Sequence, residues 1–160
     1  MQWMIGAIGR MKAGPETDLV TRYLDRAKKS GRALGITRVD VREFSESRKG
    51  SVGERKQDEA GSLLSALPKG SVIVALDETG KSLTSKQFAS LVNQQLQSGT
   101  SCLVFVIGGP DGHGTEILEN ASQTISFGQA TWPHQMVRIM LAEQLYRVTT
   151  ILNGHPYHRA

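Results

Sequence analysis

"SCLVFVIGGPDGHGTE", residues 101–116, is the stretch on which the fold turns. Cys102 to Ile107 is an unbroken apolar run, too short for a helix and without period-two alternation. It predicts a strand buried on both faces, and such strands belong to parallel sheets covered by helices. Gly108 and Gly109 follow at once, then Pro110, so the chain leaves the strand through a tight, backbone-rich turn. Two nucleotide motifs fail here. A phosphate-cradling P-loop needs a Lys followed by Ser or Thr after its last glycine, and "GGPDGHGTE" has neither. "GHGTEI" supplies only the first half of a dinucleotide fingerprint. ATP hydrolysis and hydride transfer lose support, and what remains is either a close-approach ligand loop or a plain strand exit.

Outward from this strand the pattern repeats. "SVIVALD" (71–77) is a second short apolar run, ending in the turn-rich "DETGKSLTS". "WMIGAIG" (3–9) is the first strand. "ITRVDVREF" alternates as a half-exposed strand does, and "TISFG" reads as a short one. Helices fit between them. Residues 16–30 place Leu19, Tyr23, Leu24 and Ala27 on one face. Ser51 with Glu54, and Thr84 with Gln87, have capping-box spacing and open helices over about 52–66 and 85–98. "EILENAS" is a short helix. The last begins at "PHQMVRIMLAEQLYRVTTILN", with Pro133 suited to a first helical position. The βα alternation predicts an α/β fold with a mostly parallel sheet flanked by helices, one domain across residues 1–160.

The final helix is apolar over more than one face: Val137, Leu141, Leu145, Val148 and Leu152 form a stripe that Met136, Ile139 and Met140 widen. It needs two burial partners. Its own sheet is one, and the expected second is another copy of the chain, with a wide internal groove as the alternative.

Composition narrows the function. The chain has 39% hydrophobic residues and net charge +4, with basic residues gathered at Arg22 to Arg38 and Arg42 to Lys56. This permits an anionic partner. The polar stretch "SESRKGSVGERKQDE" (45–59) reads as a mobile basic loop. No run approaches the ~18 apolar residues of a membrane span, and the N-terminus reads as a strand and not as a signal peptide. Cys102, the single cysteine, is expected in the core, and a reducing, cytoplasmic setting fits. His113, His134, His155 and His158 show no zinc-ligand spacing, so no metal is expected. No nucleophile elbow appears.

In open α/β sheets ligands bind beyond the carboxyl ends of the strands. Three loops converge there: "LDETGK" (76–81), "IGGPDGHG" (107–114) and "SFGQATWPH" (126–134). Taken with the tail, the blocks "VIGGPDG", "SFGQATWPHQMVRIMLAEQLYR" and "NGHPYHR" closely resemble the signature of the ribosomal RNA large-subunit methyltransferase H family, of the SPOUT (trefoil-knotted) class. The resemblance runs from "AIGR" to the tail and is most specific over residues 104–159.

The resemblance implies a knot region over about 72–154 and a substrate-side tail over 155–160. It implies transfer of a methyl group from S-adenosylmethionine to N3 of pseudouridine 1915, in helix 69 of 23S rRNA, on the assembled ribosome, by a homodimer. Cofactor contacts would fall on Leu76, Gly108, Gly109, Gly128, Gln129, Ala130, Thr131, Trp132 and Pro133. Gly128 departs from the serine that many members carry. On this reading Arg159 grips phosphate or a base carbonyl, Tyr157 stacks or donates, and His155 and His158 accept protons near neutral pH. His158 is the favoured proton handler. Arg138 and Arg147 are further RNA or cross-dimer contacts, although Glu143 and Arg147 also sit at ion-pair spacing. For His134 a helix-start hydrogen bond is set slightly above a catalytic role. A non-catalytic ribosome-binding factor on the same fold is the alternative.

Overall fold

A computed structural model describes residues 1–159. Five strands form one wholly parallel sheet: β1 (Gln2–Ile8), β2 (Arg38–Phe44), β3 (Val72–Ser82), β4 (Cys102–Ile107) and β5 (Gln123–Ser126). Their spatial order is β2-β1-β4-β3-β5. Between them run α1 (Pro15–Gly31), α2 (Val52–Ala66), α3 (Ser85–Gln97) and α4 (Thr115–Asn120), and α5 (His134–Leu152) closes the chain. A single 3₁₀ turn, Arg32–Leu34, links α1 to β2.

The expected buried strand is the middle of the sheet: all six residues of β4 are buried. Its alternate side chains feed two cores. Leu103, Phe105 and Ile107 join Trp3, Ile5, Val74 and Leu76 beneath α1, α3 and α5. Val104 and Val106 join Met4, Ile8, Ile73 and Ala75 beneath α2 and α4. The strand therefore reads as continuously apolar because helices cover both faces. Phe88 of α3 meets Phe105 edge-on, with ring centroids 5.7 Å apart. Cys102 is in the core as expected.

Both capping boxes form. Ser51 Oγ accepts from Glu54 N–H, Thr84 Oγ1 accepts from Gln87 N–H, and each partner side chain reciprocates. Three expectations change. The turn-rich "DETGKSLTS" is largely a continuation of β3. Leu76 and Lys81 both pair with Ile125, so residues 77–80 leave the ladder and rejoin it. Most of the α5 stripe is covered inside the chain, because α1 and α3 flank it on the same face of the sheet, while Met136 stays exposed. Pro133 caps α5, and His134 is its first residue.

The segment read as a mobile basic loop is tied to α2. Ser47 N–H donates to Glu59 Oε1 at 3.0 Å, Ser47 Oγ–H to Asp58 at 2.6 Å, and Arg55 Nη1 to Lys49 O at 3.2 Å. Among the described residues no helix is long and apolar enough to cross a membrane, and no group of His, Cys, Asp and Glu is placed to hold a metal.

Candidate functional site

The carboxyl ends of β3, β4 and β5 open onto a cavity of about 670 Å³, which the three loops singled out in the sequence enclose. Small-molecule sites ordinarily span ~300–1,000 Å³. Leu76, Ile107, Ile125 and Val137 give it an apolar wall. Of the expected cofactor residues, Leu76, Gly108, Gly109, Gly128, Ala130, Thr131, Trp132 and Pro133 line it, and the exposed Gln129 does not.

The glycine loop is a closed turn. Gly112 N–H donates to Gly109 O at 2.9 Å, and Gly112 takes φ +80°. A Cβ on Gly108 would lie 3.0 Å from the Gly112 carbonyl carbon. One on Gly109 would lie 3.0 Å from Ile8 and 3.1 Å from Glu59. The missing side chains thus let the loop pack on itself, β1 and α2, a use beyond close approach to a ligand. Arg55 of α2 fastens the loop through Asp111, Nε to Oδ2 at 2.7 Å. His113 is buried among the strand ends with Nε2 3.2 Å from Val106 O. Burial pushes its pKa down, so the ring is neutral and donates.

The 126–134 loop is held at both ends. Ser126 Oγ accepts from Gly128 N–H at 3.1 Å and donates to Gly128 O at 2.8 Å, with Gly128 at φ +115°. At the far end the His134 ring lies against Gly9, whose hypothetical Cβ would meet it at 3.2 Å. His134 makes no capping bond, and its Nδ1 is buried without a partner. It borders the cavity, which the helix-start reading did not anticipate.

Arg138 is not where an RNA contact would be. It is 2% exposed. Its Nη2 donates to Gly9 O at 3.1 Å, and Nη1 pairs with Glu43. Glu43 also accepts from Met11 N–H at 2.7 Å. Burial pushes the Glu43 pKa up, but Met11 N–H, Arg138 and Arg10 outweigh it and hold the carboxyl below its usual range. Arg138 therefore locks α5 to the exit of β1. The sequence hid this, because Glu43 lies 95 residues away from it.

The tail turns back onto its helix. Gly154 stops α5 at φ +67°. The Tyr157 ring then packs on Tyr146 with centroids 4.7 Å apart, and its O–H donates to Glu143 at 3.1 Å. Burial and Glu143 push the Tyr157 pKa up to about 12, which excludes it as a base at neutral pH. Arg147 bonds Glu143 through Nε at 2.9 Å, lies over the Tyr157 ring at 4.8 Å, and places Nη1 3.3 Å from His158 Nδ1. His155 Nδ1 accepts from Tyr157 N–H at 3.1 Å. Arg159 is exposed. The tail cluster thus docks at Glu143, Tyr146 and Arg147, along α5 from the cavity rim at His134. With ~1.5 Å of rise per residue, the helix separates these positions from His134 by roughly 14–20 Å.

A protein-family model described as "Predicted SPOUT methyltransferase" matches residues 1–158. A protein of Methylocella silvestris named ribosomal RNA large subunit methyltransferase H is 51% identical over 159 residues, 99% of each chain. Proteins of the same name from Mesorhizobium japonicum and Xanthobacter autotrophicus are 49% and 46% identical, each over 160 residues and 100% of both chains.

Proposed function

The chain belongs to the ribosomal RNA large subunit methyltransferase H family of SPOUT methyltransferases, and from that premise we propose that it methylates 23S rRNA with S-adenosylmethionine. The target is N3 of pseudouridine 1915 in helix 69 of the assembled ribosome, reached by a cytoplasmic homodimer. The full-length similarity carries this reading, and the cavity supports it. Its size, apolar wall and glycine-lined backbone suit an adenosyl group, which needs a flat slot and main-chain partners.

Leu76, Gly108, Gly109 and the 128–133 loop would hold the cofactor, which supplies an electrophilic methyl group when bound. The knot region is residues 72–154. Its crossing is read where residues 77–80 bow out around Ile125, because a Cβ on Gly80 would lie 2.5 Å from the Ile125 carbonyl carbon. The chain's remaining tasks are to orient the uracil-type ring, exclude water and remove the N3 proton.

Those tasks need the tail, which docks about halfway along α5 from its own cavity. A homodimer resolves this. Trp132 and Met136 remain 43% and 40% exposed beside the cavity, and Met140 continues their strip along α5. Burying that strip against a second copy lets one chain's tail meet the other chain's cavity. There Arg159 and Arg147 meet phosphate and His158 accepts the proton. Supplying labelled S-adenosylmethionine with ribosomes lacking the modification should place one methyl group on the target nucleotide, mapped by mass spectrometry. No incorporation by folded, dimeric protein overturns the proposal.

A further inference from the structure

Asp77 follows Leu76 in β3 and lines the cavity. Its two carboxylate oxygens are used differently. Oδ1 accepts from Thr79 N–H at 3.0 Å and from Thr79 Oγ1–H at 2.6 Å. This local turn fixes the side chain. Oδ2 takes no hydrogen bond from any described residue. It faces the glycine loop across a gap: the position a Cβ would take on Gly112 is 3.9 Å away. Thr79 therefore holds one oxygen and leaves the other presented to the cavity.

The surrounding charges do not cancel it. Asp111 is engaged by Arg55, and His113 is neutral. Lys56 is the cationic side chain on the cavity wall, and Glu78 adds a second carboxylate beside Asp77. Burial acts to raise the Asp77 pKa, but the Thr79 bonds and Lys56 hold it below its usual value, so the group is ionised at neutral pH. A fixed anion on an apolar wall attracts a cation far more strongly than it would in water.

The geometry points to Asp77 as the residue that lets this pocket prefer the cationic methyl donor to its neutral, demethylated product. The inference rests on reading the cavity as the S-adenosylmethionine site. Donor and product differ in one methyl group and one positive charge, and an apolar slot distinguishes a methyl group only weakly. A carboxylate oxygen without a protein partner reads the charge. The same oxygen loses its attraction once the sulfonium has become a thioether, which favours product release.

Calorimetric titration of the full-length protein tests this with three ligands: S-adenosylmethionine, S-adenosylhomocysteine, and an analogue with a protonated amine in place of the sulfonium. The unsubstituted protein should bind both cations about tenfold more tightly than the thioether. Asp77→Asn keeps Oδ1 for the Thr79 turn and removes the charge. It should weaken the two cations to the level of the thioether and leave the thioether unchanged. Equal weakening of all three ligands would mean that Asp77 holds a part they share, and overturns the inference. Unsubstituted protein that binds the thioether as tightly as the cations overturns it without recourse to a variant. Binding of none of the three overturns the cofactor reading itself, a result distinct from lost discrimination.

Discussion

Arg55 Nε lies 2.7 Å from Asp111 Oδ2, so α2 grips the turn that closes one wall of the cavity. The Arg55 hydrogen bond holds the Asp111 carboxyl below its usual range. A carboxyl with a lowered folded pKa adds stability above its unfolded pKa, and that stability is lost as pH falls through the folded one. Asp111→Asn should therefore lower the melting temperature at pH 7 and match the unsubstituted protein once pH is below the carboxylate range. Because the pair anchors Gly108 to Gly112, cofactor binding should weaken a few-fold at pH 7. Thermal unfolding at several pH values, with ligand titration, checks both effects.

Glu59 has the opposite sign. It is 5% exposed, with Oε1 bonded to Ser47 N–H and Oε2 buried without a partner behind Gly109. Burial pushes its pKa up, and Asp111, Glu46 and Asp58 add to that. Such an acid is favourable while protonated and costs stability as pH rises from its unfolded pKa to its raised folded one. Glu59→Gln mimics the protonated group. It should raise the melting temperature at pH 7 and bring no gain below about pH 4, where the native acid is already neutral. An equal gain at both pH values would show that charge is not the cause.

Arg138→Met strands Glu43. Removing one partner of a buried pair ordinarily costs ~3–5 kcal/mol, and since Glu43 is partly exposed the expected loss is about 2–4 kcal/mol by urea denaturation. This variant also separates structure from recognition. Loss of a phosphate contact lowers the salt dependence of RNA binding by about one unit of log–log slope. The folded fraction of Arg138→Met should keep the original slope, whereas Arg159→Ala should lose that amount.

Gly80→Ala meets backbone. The new Cβ would sit 2.5 Å from the Ile125 carbonyl carbon and 2.7 Å from its nitrogen, in a crossing with no flexible side chain to yield. Overpacking typically costs 1–3 kcal/mol, and here about 2–4 kcal/mol is expected, with cofactor binding lost as β5 shifts. Gly61→Ala is the contrast. In α2, with nothing within 4 Å of the new methyl, it should stabilise by about 0.5–1 kcal/mol.

These sites separate what the sequence discloses from what it conceals. Strand order in time, helix starts and the three cavity loops were legible because they depend on local patterns: apolar runs, capping-box spacing and glycines after strands. Glu43 with Arg138 and Gly80 with Ile125 were not, because each is a meeting of distant segments that leaves no periodic trace. The breadth of the α5 stripe was visible, but not that α1 and α3 fill most of it. The tail illustrates the same limit. Its proton-handling residues are plain in "GHPYHR", whereas their docking on Tyr146 and Glu143, away from the cavity, is a tertiary fact.

That separation makes the tail the sharpest test of a shared site. Deleting residues 155–160 removes the Tyr157 contacts with Tyr146 and Glu143, which should cost about 1 kcal/mol, leaving cofactor binding intact and methyl transfer abolished. Ala130→Trp, on the exposed rim of the cavity, should block cofactor binding with the tail untouched. Each protein alone should be inactive. Coexpressed in equal amounts, half of the two-fold dimers carry one of each chain, and in these one cavity is intact and faces an intact tail. About a quarter of the unsubstituted activity should return, because one site in two works in half of the dimers. If cavity and tail had to come from the same chain, no mixed dimer would hold a complete site and activity would stay at zero. Methyl transfer to unmodified ribosomes by the unfractionated coexpressed protein distinguishes the two outcomes.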